Sequence, residues 1–244
     1  MLLRCIQAEN RKLSRSVIWL LFLAVPMISA VYGTVNYNMN LGILKNGWYD
    51  LWTQYTLFYA IFFFAPLIGV CASYLWRLEH HGHNWNLIMT TPVRPFYLFF
   101  AKFCVVAKMA MLTQGWLFLL YLVGGKFGAG LNGFHPLEII VWLLRGALGG
   151  LTIIGLQLLL SMVIRNFALP VLLGLGGSIV GLLAASKDIG LFWPYSLMIL
   201  GMNSNKTEDV IVGNFVGFFI SCCVFLLVVF VIANAVLIKQ DVKT

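Results

Sequence analysis

Glu79, His80, His81 and His83 stand almost next to one another, and three of the chain's four histidines are in this run. Imidazole and carboxylate together suggest a metal centre, but a zinc site needs ligands spaced so that they surround one point. Near-consecutive ligands do not provide this, and no second ligand cluster exists elsewhere in the chain. A solvated polar turn, with Glu79 in another role, is the better reading, and no metal is expected. No H-E-x-x-H, G-x-S-x-G or pair of carboxylates within an apolar run is present. There is also no G-x-x-x-x-G-K-[ST], the loop whose amides cradle nucleotide phosphates, so the chain itself binds no nucleotide. Chemistry at membrane depth would need ionisable residues inside apolar runs. Arg145 is the best case, with Lys108 and Gln114 behind it. Arg145 lies seven residues after Glu138, on the same helix side and about 10 Å away. It can either snorkel to outer headgroups or line an internal cavity.

The elements that hold these residues are set by composition. Of 244 residues, 61% are hydrophobic and 10% charged, and the mean hydropathy is +0.92. Soluble domains carry about 25% charged residues, so a water-soluble fold and a disordered chain are both excluded. The apolar runs are long and do not alternate, which excludes barrel strands and predicts membrane-crossing helices. Six are read, at about 17–36, 51–76, 97–123, 137–164, 167–185 and 210–238. They fill 1–244 as a single transmembrane domain. The first run continues past the Ile28-Ser29-Ala30 patch, so it reads as a retained span and not a cleaved signal.

With the N-terminus inside, the inner segments hold eleven basic residues against Glu9, Glu79 and Asp241. The outer segments hold Lys45, Lys126, Lys187 and Lys206 against five acidic residues. This asymmetry places both termini in the cytoplasm and accounts for the net charge of +8 without a nucleic-acid partner. None of the five cysteines falls in an outer loop, so no disulfide framework is expected. Residues 2–16 read as an amphipathic helix, with Leu3, Ile6 and Leu13 on one side and Arg4, Arg11 and Arg15 on another. Glu9 and Asn10 weaken its stripe. Residues 186–209, around Leu191–Leu200, are too apolar for a plain loop and too short to span. They form either a re-entrant pair of half-helices or a belt lying flat at the interface. Gly146/Gly150, Gly177/Gly181 and Gly213/Gly217 have the GxxxG spacing of close helix contact.

The connection between spans two and three carries a recognisable pattern: Glu79, Gly82, Trp85, Thr90-Thr91-Pro92 and Arg94, with Lys102 opening the third span. It resembles the signature of ABC-2-type permeases, and within them the small permease subunits of bacterial lantibiotic-immunity transporters (the MutE/EpiE and LanG group). The N-terminal Glu9…Lys12-Leu13…Arg15-Ser16 is similar to that family's first helix. The histidine run is not part of the pattern.

The resemblance implies an all-α integral membrane protein built like an ABC-2 exporter. Six transmembrane helices follow an N-terminal amphipathic helix. An inner coupling helix lies between spans two and three, and a re-entrant segment between spans five and six. It implies a non-catalytic subunit, with ATP and magnesium held by a separate ABC ATPase. A second permease subunit, identical or different, would complete the complex in a bacterial plasma membrane. The implied cargo is an amphipathic peptide expelled from the bilayer; another toxin peptide or a hydrophobic drug is the alternative. A secondary transporter would show inverted repeats, and an embedded hydrolase inward-facing ionisable pairs. Neither is evident. Residues Glu79, Gly82, Trp85, Thr91, Pro92 and Arg94 are expected to couple the ATPase to the membrane helices. Trp85 would be the anchor and Pro92 would end a short helix.

Overall fold

A computed structural model describes residues 1–80, 94–204, 206–211 and 213–241. The expected coupling helix lies mostly outside them, and with it Gly82, Trp85, Thr91 and Pro92. The described residues are all-α. Helix α1 spans Leu2–Ser14 and α2 Trp19–Met39. Helix α3 spans Trp48–His80 and α4 Pro95–Gly128. Then come α5 (Glu138–Val163), α6 (Ala168–Ser186), the short α7 (Ser196–Gly201) and α8 (Phe215–Asp241). Helices α2 to α6 and α8 are long and apolar enough to cross a membrane. They coincide with the six expected runs, although α3 extends to His80 and α8 begins only at Phe215.

Local chemistry explains the boundaries. Asp50 in the first turn of α3 accepts the Asn46 amide at 2.7 Å. Pro95 opens α4 where its missing N–H costs nothing, after Arg94 in an extended conformation (φ −62°, ψ 132°). The Asn166 side chain accepts the amides of Ala168 and Leu169 at 2.8 and 3.2 Å and starts α6. Within α3, Leu57–Phe63 widens into π-helical pitch. Pro66 lies just beyond and cannot donate the amide that α pitch would direct to the Phe62 carbonyl.

The core is aromatic. Trp52, Trp76, Trp142, Tyr55, Tyr59 and Tyr121 are all fully buried, and Tyr121 meets Trp48, Trp52 and Tyr55 edge-on. Helix α8, by contrast, is only 17% buried along its most apolar window. Its outward side chains present the apolar surface that lipid or a membrane partner covers.

The described part of residues 186–209 folds inward against the long helices as a hairpin. A turn at Gly190–Phe192 leads into α7, whose Leu197 and Met198 are fully buried. In two of the three GxxxG pairs, Gly146, Gly177 and Gly181 seat this hairpin, whereas Gly150 faces the Phe64 ring of α3. A Cβ on Gly149 would come within 2.5 Å of the Leu197 carbonyl, and one on Gly181 within 3.0 Å of the Ser196 amide. Gly146 faces Met202, and Gly177 faces the Tyr195 ring. The indole of Trp52 donates to the Met202 carbonyl at 2.8 Å, and that of Trp193 to the Gly177 carbonyl at 2.8 Å. Gly213 meets no such contact, and Gly217 approaches only the side chain of Asn214.

Candidate coupling site

Four charges from three helices converge beside the end of α3. Glu9 and Lys12 come from α1, Glu79 from the last turn of α3 and Lys102 from the first third of α4. The Lys102 side chain is completely buried and lies 5.1 Å above the Trp76 ring. Its ammonium donates to Glu9 Oε2 at 2.8 Å, Glu79 Oε1 at 2.7 Å and the Leu75 carbonyl at 3.3 Å. All three of its donors are therefore used. Lys12 bonds the other oxygen of Glu9 and the same oxygen of Glu79, each at 2.6 Å. Glu9 and Glu79 are each 2% exposed. Two cations and two anions thus form a neutral cluster, the condition under which burying charge is tolerable. Lys12 reaches the cluster from its rim. Burial would lower its pKa, but the Glu9 and Glu79 carboxylates hold its ammonium above the usual lysine value.

The geometry revises the sequence reading of two residues. Glu9, which seemed to weaken the α1 stripe, is the residue by which α1 is fastened to α4. Glu79 points inward to Lys12 and Lys102 and is hidden from the surface where a soluble partner would dock. Of the other expected coupling residues that are described, Arg94 is exposed immediately before α4. Lys108 is also exposed, and its ammonium donates to Asn10 of α1. The sequence signal for this cluster was Lys102 and Glu79 in apolar surroundings, each requiring a countercharge. Spacing along the chain gave no sign that α1 supplies it.

At the opposite end of the bundle, Arg145 of α5 neither snorkels outward nor pairs with Glu138. It is 7% exposed and donates to Asp209 Oδ2 at 2.6 Å. The Trp142 indole donates to the same oxygen at 3.0 Å, and the Ile211 amide to Oδ1 at 3.0 Å. Burial pushes the Asp209 carboxyl up, but these donors outweigh it and hold the group below the usual aspartate value. Glu138 instead accepts from the Tyr49 hydroxyl at 2.9 Å. The pair ties the returning strand of the hairpin to α5. Among the described residues, no group of three or more His, Cys, Asp or Glu could hold a metal ion.

Six apolar helices, a helix fastened beside them by a buried ion cluster, and an inward hairpin define a multi-pass membrane subunit. Residues 5–181 match the family described as ABC-2 family transporter protein. The chain belongs to that family. It is therefore the permease subunit of an ABC transporter, a transport component without catalytic chemistry of its own, and ATP is hydrolysed by a separate ATPase partner. No curated protein and no solved structure matches the chain.

Proposed function

We propose that this permease expels an amphipathic peptide of the lantibiotic class from a bacterial plasma membrane, and that the buried ion cluster couples it to the ATPase. The cluster is the observation that carries the coupling. It joins α1 to the two helix ends that flank the Glu79–Pro95 connection, so movement of that connection is passed to α1, α3 and α4 together. Trp85 and Arg94 make the ATPase contact, with Gly82, Thr91 and Pro92 shaping the connection. Glu79 acts from inside as the positioning residue that binds the connection to α1 and α4. Nucleotide binding in the partner then shifts the membrane helices between inward and outward states. At the other end, the Arg145–Asp209 pair holds the hairpin shut, and its opening exposes Arg145 to the cargo route. The cargo class is supported by the resemblance of the Glu79–Lys102 pattern to lantibiotic-immunity permeases. A second permease, identical or different, completes the pathway, with both termini cytoplasmic.

The test is lantibiotic susceptibility in sensitive cells that express the chain with its ATPase. The expected result is a raised inhibitory concentration together with less cell-associated peptide. Unchanged susceptibility and unchanged peptide retention would overturn the cargo assignment. Protection confined to hydrophobic drugs would transfer the assignment to that class.

A further inference from the structure

The face of α1 opposite the ion cluster has a composition of its own. At 100° per residue, Arg4, Arg11 and Arg15 fall on one stripe about 40° wide. All three are exposed, and none takes part in an ion pair among the described residues. Glu9 is the only carboxylate in the first sixteen residues, and it is turned the other way. Exposed apolar side chains lie on either side of the stripe at its N-terminal end: by the same projection Met1, 68% exposed, falls about 40° from one edge and Leu3, 74% exposed, about 80° from the other. Helix α1 also lies along the flank of α4 and not beneath its end. Glu9 meets Lys102, and Asn10 meets Lys108 six residues, about 9 Å, further along. The arginine stripe therefore faces sideways, away from the bundle. A basic and apolar helix face beside a membrane span fits the boundary between headgroups and acyl chains. Guanidinium forks match phosphate oxygens bidentately.

We infer that the Arg4/Arg11/Arg15 stripe docks on anionic phospholipid headgroups, and that this contact holds α1 where Glu9 and Lys12 close the ion cluster. The inference stands on α1 lying at a membrane surface and is independent of the cargo. Each basic residue near an anionic surface contributes about fivefold in binding, so three together give roughly 100-fold, screened by salt.

The test is hydrogen exchange of the α1 amides in the full chain. Nanodiscs of phosphatidylcholine alone are compared with nanodiscs containing about one-third phosphatidylglycerol. Exchange in α1 is expected to slow at least tenfold in the anionic discs and to recover in high salt, while α5 amides stay unchanged. Replacing all three arginines by glutamine removes the response, and replacing them by lysine keeps it. Equal α1 exchange in both lipids would overturn the inference. So would an undiminished response in the glutamine variant, or protection that appears in neutral lipid only when the ATPase is added, which would assign the stripe to the ATPase. The wild-type lipid comparison decides the matter even if the glutamine variant fails to fold.

Discussion

Replacing Lys102 by methionine removes the cation at the centre of the cluster while keeping most of its volume. Three donors disappear, to Glu9, Glu79 and the Leu75 carbonyl, all around a side chain with no solvent exposure. Lys12 alone then faces two buried carboxylates. Breaking a buried ion cluster by removing one partner costs about 3–5 kcal/mol. The cost has a ceiling, because protonating one carboxylate is the alternative. From an ordinary glutamate value that takes about 3.7 kcal/mol at pH 7. Lys102→Met is thus expected to lose about 3–4 kcal/mol at pH 7 and to regain part of it as pH falls towards 5. Adding Glu79→Gln restores neutrality, with Glu9 and Lys12 left as one pair, and should recover most of the loss. The assay is thermal and denaturant unfolding of the detergent-solubilised chain, followed by tryptophan fluorescence across pH. A Lys102→Met variant within about 0.5 kcal/mol of wild type, or a double variant no better than the single, would refute the electrostatic reasoning.

Trp85→Ala should weaken ATPase binding by about 2 kcal/mol or more while the membrane helices stay folded, as read by co-purification. The Asp209 carboxyl lies below its ordinary value of 3.8, so the Arg145–Asp209 pair contributes its stability above that value. The contribution is lost only as pH falls through the lower folded value, and unfolding at pH 5 should therefore match that at pH 7. Arg145→Gln should cost about 2 kcal/mol at both pH values. Gly149→Ala drives a Cβ to 2.5 Å from the Leu197 carbonyl and should cost about 1–3 kcal/mol or more. Gly115→Ala, with nothing within 4 Å, should be neutral in the same melting experiment.

The six crossing helices were legible because each is an unbroken apolar run, a signal that composition and length carry together. Their ends were less so: Glu79 and His80 continue α3 although the apolar run stops near Trp76, since the ion cluster replaces water as the partner of a charged last turn. The role of Glu9 was not legible. A carboxylate in an amphipathic helix reads as a defect until Lys102, 93 positions away, is seen beside it. The glycine spacing announced close contact at Gly146/Gly150 and Gly177/Gly181 but not at Gly213/Gly217, and it did not name the partner, because the hairpin that follows α6 has no periodicity of its own. The π-helical stretch at Leu57–Phe63 was announced only by Pro66, a signal that a proline kink would give equally.

The coupling claim is tested most directly by ATP turnover of the permease–ATPase complex in proteoliposomes, with and without lantibiotic peptide. Wild type is compared with the charge-balanced Lys102→Met/Glu79→Gln variant. This variant keeps the fold and a neutral interior, but α1 is no longer bonded through Lys102 to α3 and α4. The expected result is that the ATPase still binds and turns over at its basal rate while stimulation by peptide disappears. A stably folded double variant with wild-type peptide stimulation would contradict the claim that the buried cluster carries the ATPase's motion into the membrane helices.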